Sequence, residues 1–301
     1  MCVGVWLTPY LVQIDFYPDS GIQQQFEDAF IATFETAISG CGSRLLAALA
    51  ADFTLDEVLS AVPVCDPATA SVSKFMFYAR GAISSLAMID YPYECEFISA
   101  LPANPVTLGC SSIVTDSHSA LDVLVGLTNL YVNATGDLPC FDLGAELVQS
   151  RKSSPLTFSS SDLGVTSWNY QACTELILEP ITSDGFGFYP PADGEQTVEI
   201  VETCERTFKA LSRPAWMGTS FARGRDVSRY LTNTILMENS KDPWHVGTAS
   251  IAANEQNGLF KFYAEGGAHH QDLRFSDDAD SDGVREARAF EKEIIRSWLA
   301  K

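Results

Sequence analysis

Apolar residues recur at helical spacing through the first part of the chain. Between Gly21 and Ser39 an apolar side chain returns every fourth residue, and Gly40 follows as a stop signal. The members of this stripe are Ile22, Phe26, Phe30, Phe34 and Ile38. Residues four apart lie on one face of a helix, so the spacing predicts an amphipathic helix over 21–39.

Further helices are predicted by the same periodicity and by a cap. Thr54 and Glu57 have the spacing of a capping box, which indicates a short helix that starts there. Amphipathic segments follow over 70–89 and 117–132, and proline-punctuated turns lie between them. We therefore predict an all-helical module over residues 15–135.

The pattern changes in the second half of the chain. Residues 230–237 contain a β-branched run and residues 258–264 a second apolar stretch, and each predicts a strand. Helices are predicted over 195–211 and 283–299. The order strand, loop, strand, loop, helix is typical of the end of an α/β sheet, which we predict within residues 136–301.

Composition excludes several classes of function. The 301 residues are 46% hydrophobic and include 39 acidic against 19 basic side chains, a formal charge of −20. Such a charge repels phosphate backbones and anionic lipids, so we expect neither a nucleic-acid partner nor a membrane partner. No apolar run reaches the length of about 18 residues that a membrane span needs.

Eight cysteines are spread irregularly, with no C-x-x-C pair that would indicate a zinc ribbon or a thioredoxin motif. Together with a sequon at Asn133 they favour disulfides and glycosylation in an oxidising compartment, although buried free thiols are an alternative. The start, Met1–Ile14, lacks the features of a signal peptide. A secretory composition without a leader leads us to expect that an N-terminal part is missing.

Candidate chemistry follows each predicted strand. Asp242 lies in the loop after the first strand, and His269 lies in the loop after the second. Loops at the carboxyl ends of strands carry function in open α/β sheets, and an Asp followed by a His is the order in an α/β-hydrolase triad. A carboxylate that accepts the imidazole Nδ1 proton holds the ring in its basic tautomer. Solvated loop residues are the alternative interpretation.

Several ordered motifs resemble the lysosomal Pro-Xaa carboxypeptidase family of serine exopeptidases, of the prolyl carboxypeptidase and dipeptidyl peptidase II type. They are Leu86–Tyr93, Leu101–Pro105, Ser167–Glu175, Asp242–Trp244 and Gly267–Arg274. The resemblance implies an α/β hydrolase with a helical cap, of which this chain would hold the cap and the C-terminal part of the hydrolase. It also implies cleavage on the carboxyl side of proline.

The resemblance assigns roles to individual residues. Asp242 would be the triad carboxylate and His269 the general base, while Trp244 and, more weakly, Leu178 would line a proline pocket. Packing under its own loop is an equal alternative for Trp244. The resemblance implies a proline-containing peptide as substrate, no cofactor and a lysosomal, vacuolar or extracellular location, and it is compatible with a homodimer.

The same resemblance implies two disulfides, Cys65–Cys140 and Cys173–Cys204. Cys110 lacks its usual upstream partner, and Cys41 and Cys95 are both open as substitutes. The family places Ser-Asn-Gly before Asp-Pro-Trp, whereas this chain has Met237-Glu238-Asn239. We expect Glu238, as a second carboxylate near Asp242, to raise the pKa of that residue.

The nucleophile of such an enzyme stands on a G-x-S-x-G elbow ahead of the cap. No G-x-S-x-G occurs in the chain, and the nearest matches, Gly109–Ile113 and Gly218–Ala222, lack the closing glycine. We therefore expect no nucleophilic serine and an inactive, N-terminally truncated peptidase. The alternative is a non-catalytic secreted glycoprotein that keeps the cap as a binding surface.

Two other motifs receive structural interpretations. Asp278–Gly283 fits the first half of a calcium loop, but its twelfth position is Ala289, so we predict that its acidic residues cap the following helix. His269–His270 is a poor metal site because adjacent residues rarely reach one ion. Trp168 is predicted to pack within the fold, and no metal site is expected.

Overall fold

The structure is a computed structural model that describes residues 22–96, 100–114, 118–143, 231–249 and 251–300. Short pieces between 167 and 229 are described as well, namely 167, 170–176, 201–202, 204–211, 213 and 228–229. Trp168, Leu178 and the segments Met1–Ile14 and Gly218–Ala222, all discussed above, lie outside the described residues.

Six helices form the described part of the first 143 residues. They are α1 (Ile22–Ala37), α2 (Cys41–Leu49), α3 (Leu55–Ala61), α4 (Val72–Met88), α5 (Pro105–Ile113) and α6 (Ala120–Val132). A short antiparallel pair, β1 (Cys95–Glu96) and β2 (Ala100–Leu101), lies between α4 and α5. No helix among the described residues combines the length and apolarity needed to cross a membrane.

The predicted stripe of helix α1 forms the centre of the core. Phe26, Phe30 and Phe34 are all buried, and the rings of Phe26 and Phe30 meet edge to face at 4.7 Å between centroids. Burying three aromatic rings on one face stabilises the helix more than its own propensity does. The predicted helix over 21–39 is confirmed within two residues of its ends.

Side-chain caps fix where three of the helices begin. The capping box of Thr54 and Glu57 is confirmed at α3. Ser71 accepts a hydrogen bond from the backbone of Lys74 at the start of α4, and Ser119 forms a second capping box at the start of α6. The helices predicted from residues 70 and 117 therefore begin slightly later, at 72 and 120.

Helices α2 and α5 were not predicted from the pattern. Each follows a residue in the left-handed conformation, Gly40 at φ 86° and Asn104 at φ 49°. Gly40 was interpreted as the end of one helix, but it also allows the chain to turn directly into the next. Pro105 was interpreted as part of a turn, although proline is favoured at the first position of a helix.

The described residues contain three disulfides, one of which joins two of these helices. Cys41 in α2 is bonded to Cys110 in α5, so of the two open partners for Cys110 the structure selects Cys41, and Cys95 is a buried free thiol. The two disulfides implied by the resemblance are confirmed. The three bonds are Cys41–Cys110, Cys65–Cys140 and Cys173–Cys204.

The second half supplies a pair of parallel strands and a terminal helix. Strands β3 (Thr234–Asn239) and β4 (Leu259–Ala264) pair in register, with Thr234 opposite Leu259 and Asn239 opposite Ala264. A short helix α7 (Val246–Ala249) lies between them, and α8 (Asp282–Leu299) packs on β4. The strand expected over 230–237 starts and ends later than predicted, and the described parts of 201–208 are helical.

One buried apolar cluster joins the helices to the loops that follow the strands. Val246 and Ala268, from these loops, belong to the same cluster as the phenylalanines of α1. Helix α1 contacts both the turn at Pro243–His245 and α7. The loops after β3 and β4 are thus packed directly against the helical part of the chain.

The close approach of α1 and α2 gives a stability prediction. A Cβ at Gly42 would lie 2.7 Å from the carbonyl oxygen of Ile31, whereas a Cβ at Gly81 in α4 would meet no atom within 4 Å. We expect Gly42→Ala to destabilise the protein by about 1–3 kcal/mol through overpacking. The matched Gly81→Ala should stabilise the protein by about 0.5–1 kcal/mol, because alanine has a higher helix propensity than glycine. Urea unfolding measures both, and an unchanged midpoint for Gly42→Ala would contradict this packing.

Candidate functional site

Two loops meet at the carboxyl edge of the β3–β4 pair. The first runs from Ser240 to Asp242 and the second from Glu265 to His269. The backbone N–H of Ser240 donates to the Ala264 carbonyl at 3.0 Å, and that of Lys241 donates to the Gly267 carbonyl at 2.8 Å. The two loops are therefore joined to each other, as expected for adjacent parallel strands that end together.

Asp242 and His269 form a hydrogen-bonded pair across these loops. Nδ1 of His269 lies 2.8 Å from Oδ2 of Asp242, and the other carboxylate oxygen accepts the backbone N–H of Trp244 at 3.1 Å. An ionised carboxylate can only accept, so Nδ1 carries the hydrogen and Nε2 is the basic nitrogen of the neutral ring. Within the described residues, no side chain is hydrogen-bonded to Nε2.

Asp242 is charged in spite of its burial. Burial raises the pKa of this carboxyl, but the charge and hydrogen bond of His269, the charge of His270 and the Trp244 backbone N–H together outweigh it, so the net pKa is lowered. Asp242 thus keeps its negative charge through the neutral and mildly acidic range. A buried carboxylate of this kind orients an imidazole and stabilises the imidazolium.

The expectation that Glu238 raises the pKa of Asp242 is wrong. Glu238 points its carboxylate to Lys261, at 2.9 Å, and accepts the hydroxyl of Thr248 at 2.8 Å. Its charge is balanced by that lysine on the neighbouring strand, and it is not among the main groups that set the pKa of Asp242, which is lowered rather than raised. The presence of Met237–Asn239 in place of the family's Ser-Asn-Gly is therefore compatible with an ionised Asp242 that is hydrogen-bonded to His269.

His270 lies directly beside the pair. Its backbone is left-handed at φ 55°, which turns the ring onto that of His269 with 3.6 Å between centroids. Burial and then the charge of His269 lower the pKa of His270 to about 4. The ring is therefore neutral above about pH 4, and it covers one face of the His269 ring.

Arg288 of α8 fixes the conformation of residues Glu265 to Arg274, here called the histidine loop. Its guanidinium donates to the backbone carbonyls of Asp272 at 2.9 Å and Gln271 at 2.8 Å, and it pairs with the buried carboxylate of Asp280. The side chain of Gln271 in turn accepts the Ala268 backbone N–H at 2.9 Å. The loop that carries His269 is thus held by α8 as well as by its contacts with the loop of Asp242.

The same contacts determine the role of the acidic loop at 278–283. Asp280 pairs with Arg288, and Asp282 pairs with Arg285 at 2.8 Å. The cap of α8 is Ser281 rather than an aspartate, which corrects that detail of the prediction. In the part of the chain that the structure describes, no group of three or more Cys, His, Asp or Glu residues is arranged to hold a metal ion.

Trp244 is held against the helical part. Its ring meets that of Phe26 edge to face at 4.6 Å, and its Nε1–H donates to the sulfur of Met88 at 2.8 Å. These contacts favour a packing role, and the side chain is only partly buried. His245 is half-buried, with Nδ1 2.6 Å from the backbone oxygen of Asp242.

The serines nearest to an elbow motif do not form one in the described structure. Ser111 and Ser112 lie inside helix α5 and donate to the carbonyls of Thr107 and Gly109, at 2.8 Å and 2.7 Å. Their hydroxyls are occupied by the helix itself. Ser220 and Leu178 lie outside the described residues.

Sequence reasoning did not find the buried carboxylates behind the pair. Asp272 and Glu291 are both buried, and Asp272 accepts the side-chain amide of Asn239, the last residue of β3, at 2.8 Å. Burial, and then the charge and hydrogen bond of Asp272, raise the pKa of Glu291 to about 7. The motif Gly267–Arg274 contained Asp272, but no spacing in the sequence links it to Glu291.

The comparisons with known proteins agree with this geometry. A profile of the family described as serine carboxypeptidase S28 matches residues 33–291. A Bos taurus protein named lysosomal Pro-X carboxypeptidase is 30% identical over 246 residues, 80% of this chain and 46% of that protein. Its Homo sapiens counterpart is 27% identical over 250 residues, 81% of this chain and 47% of that protein.

A third relative extends the match further along the chain. The Caenorhabditis elegans protein named prolyl carboxy peptidase like protein 5 is 28% identical over 308 aligned residues, which cover 94% of this chain and 58% of that protein. The chain thus spans about half the length of the curated relatives it matches.

The buried carboxyl pair gives a prediction on pH. The pKa of Glu291 is about 7 in the folded protein against 4.5 as its ordinary value, so the folded state holds an extra proton between these limits. Stability from this group is therefore present below about pH 4.5 and is lost as the pH rises through 7. We expect the free energy of unfolding of Glu291→Gln to lack this decrease as the pH rises from 4.5 to about 7. Unfolding by urea at several pH values measures it, with exposed Glu286→Gln on the same helix as control. Parallel pH profiles for the wild type and Glu291→Gln would contradict the prediction.

Proposed function

Because the chain belongs to the serine carboxypeptidase S28 family, we propose that it carries the acid–base pair of a serine exopeptidase that cleaves peptides after proline. Asp242 is the triad carboxylate and His269 the general base. The observation that carries the proposal is the 2.8 Å contact between Asp242 Oδ2 and His269 Nδ1, at the ends of two adjacent parallel strands. The fold that we propose is an α/β hydrolase, with the helices of residues 15–135 as its cap.

The mechanism is acyl transfer through a serine. Nε2 of His269 removes the proton from the serine hydroxyl as the oxygen attacks the carbonyl carbon of the scissile bond, and later gives it to the leaving amine. Asp242 stays ionised, accepts the Nδ1 hydrogen throughout and stabilises the imidazolium. Its lowered pKa supports this role, since a protonated Asp242 would carry no negative charge to stabilise the imidazolium.

The serine is not supplied by this chain in our proposal. No G-x-S-x-G occurs among the 301 residues, and the hydroxyls of Ser111 and Ser112 are bonded within their helix. Without a nucleophile the pair retains only a base. The chain by itself is therefore inactive toward peptides, and activity needs a nucleophile elbow from outside these residues.

The substrate that we propose is a peptide with proline at the position before the scissile bond. Two of the three relatives are named for Pro-X cleavage and the third for prolyl carboxypeptidase. Trp244, two residues after Asp242, offers a flat indole surface suited to a pyrrolidine ring, and Leu178 is the second candidate for the same wall. The contact of Trp244 with Phe26 supports a rigid pocket wall rather than a mobile one.

Absence of the elbow motif also favours a second candidate function. The chain would then be a non-catalytic secreted glycoprotein that binds proline-containing peptides and leaves them intact. Sequencing the transcript upstream of Met1 distinguishes the two. An in-frame G-x-S-x-G supports the peptidase, and a stop codon supports the binding protein.

A location in the secretory or lysosomal pathway agrees with both candidates. Three disulfides are described, and two of the relatives are named as lysosomal. Such bonds persist in oxidising compartments and are rare in the cytosol. The sequon at Asn133 lies at the end of α6, next to exposed Ala134 and Thr135, where a glycan can be attached.

Peptide binding without cleavage tests the proposed function. We expect a Pro-Phe dipeptide with a blocked N-terminus to shift the indole Nε1–H resonance of Trp244, and an Ala-Phe peptide to shift it at least about tenfold less at equal concentration. We expect no labelling by a fluorophosphonate probe, because no serine is activated. Equal shifts for both peptides would overturn the substrate class, and labelling that maps to a serine of this chain would overturn the missing nucleophile.

Glycosylation at Asn133 gives a second test. Its Oδ1 accepts the backbone N–H of Leu138 at 2.7 Å, and a glycan on Nδ2 leaves that oxygen free to do so. We expect an enzymatically removable glycan after expression in a secretory host. Thr135→Ala should abolish the glycan while keeping the Leu138 contact, whereas Asn133→Gln should lose both and be less stable by about 0.5–1.5 kcal/mol. Mobility on a gel and thermal unfolding provide the two readouts, and a glycan that persists in Thr135→Ala contradicts the assignment.

A further inference from the structure

The end of helix α4 continues into Met88-Ile89-Asp90-Tyr91, here called the 88–91 segment. We propose that this segment is the positioning element of the Asp242–His269 pair, and that Tyr91 is a positioning residue that acts through the backbone of His269. The inference rests on the proposed function, because it concerns the same pair. It gives a physical role to part of the motif Leu86–Tyr93, one of the motifs that carry the family resemblance.

The segment binds both backbone polar groups of His269. The backbone N–H of His269 donates to the Met88 carbonyl at 2.8 Å, and the hydroxyl of Tyr91 donates to the His269 carbonyl at 2.6 Å. A residue held at its N–H and at its C=O cannot rotate its peptide planes without breaking a bond. The imidazole is therefore carried on a fixed backbone position from which Nδ1 meets Asp242.

The segment also binds the loop that carries Asp242. The carboxylate of Asp90 pairs with the ammonium of Lys241, the residue before Asp242, at 2.8 Å. The backbone N–H of Lys241 donates in turn to the carbonyl of Gly267, in the histidine loop. Three of the four residues of the segment, Met88, Asp90 and Tyr91, therefore contact the loop of Asp242 or the loop of His269.

The segment itself is rigid enough to serve as a reference point. Ile89, Asp90 and Tyr91 are each 3% exposed or less. The Tyr91 carbonyl accepts the backbone N–H of Asn104 at 2.7 Å, and Asp90 accepts that of Val106 at 3.1 Å. These bonds tie the segment to the start of α5, which the disulfide at Cys110 links to α2.

Chemistry at Tyr91 suits a pH-independent anchor. Burial is the main cause that raises the pKa of its phenol well above the ordinary value, so the hydroxyl remains a donor at every pH relevant to the pair. The guanidinium of Arg274, in the same loop as His269, lies 4.5 Å above the Tyr91 ring. The ring is thereby held between the helical part and the histidine loop.

The experiment measures the exchange of the His269 Nδ1–H proton with water. This exchange reports the hydrogen bond to Asp242, and the loss of a hydrogen bond that does not position His269 leaves it unchanged. In the full chain we expect this proton as a low-field NMR signal that Asp242→Asn abolishes. Tyr91→Phe should raise its exchange rate with water by about fivefold, the effect of losing one hydrogen bond. Asp90→Asn keeps the acceptor for Val106 but loses the ion pair, and should also accelerate the exchange.

Tyr78→Phe is the matched control. Tyr78 lies in helix α4, from whose end the 88–91 segment continues, and its ring packs beside Phe141, with 5.8 Å between centroids. This variant should leave the Nδ1–H exchange unchanged. Acceleration in Tyr91→Phe and Asp90→Asn but not in Tyr78→Phe supports the proposal, and Asp90→Asn decides alone if Tyr91→Phe does not fold.

Two outcomes overturn the inference, and they differ in what they say of the proposed function. A signal that depends on Asp242 but has the same exchange rate in Tyr91→Phe and Asp90→Asn as in the wild type overturns the positioning role alone. A wild-type protein with no such signal, or with one that survives in Asp242→Asn, has no Asp242–His269 pair. That result overturns the proposed function together with the inference.

Discussion

Two strands that run in the same direction and pair in register must end at the same edge. Because Asn239 lies opposite Ala264, the next residues of both strands emerge side by side, and the loops bond to each other at once. A carboxylate three residues beyond one strand and an imidazole five residues beyond the other then fall within hydrogen-bond distance. A shift of the register by two residues would move one loop by about 7 Å and separate the pair.

The site is built from buried charges, and each of these charges has a partner. Asp242 is paired with His269, Asp280 with Arg288, Glu238 with Lys261 and Asp90 with Lys241. Burying a carboxylate without such a partner destabilises the folded state by several kcal/mol. Because this protein has many more acidic than basic residues, its basic side chains have to lie next to the carboxylates that are buried. Asp272 and Glu291 lie close together near Arg288, and the raised pKa of Glu291 lets the pair share a proton.

The helical part contacts the residues that follow the two strands. Its core continues through Val246 and Ala268 into the residues that follow the strands, and its 88–91 segment contacts His269 and Lys241, the residue before Asp242. An imidazole on a loop can lose its alignment easily, since loops are the least rigid part of most folds. Here the loop is held on one side by Arg288 of α8 and on the other by Met88 and Tyr91. Geometry of the kind that catalysis requires is thereby set before any substrate binds.

Local patterns in the sequence were sufficient for much of the fold. The phenylalanine stripe of α1, the cap at Thr54 and the two strands are properties of neighbouring residues, and the order of Asp242 and His269 pointed to a triad. The helices after Gly40 and Asn104 were missed because the left-handed residue that ends one segment also begins the next. The partner of Cys110, the neutralisation of Glu238 by Lys261 and the bond of Tyr91 to His269 depend on residues that are distant in the chain. Only the tertiary structure decided these, because hydrogen bonds and ion pairs act over about 3 Å in space, whatever the separation in sequence.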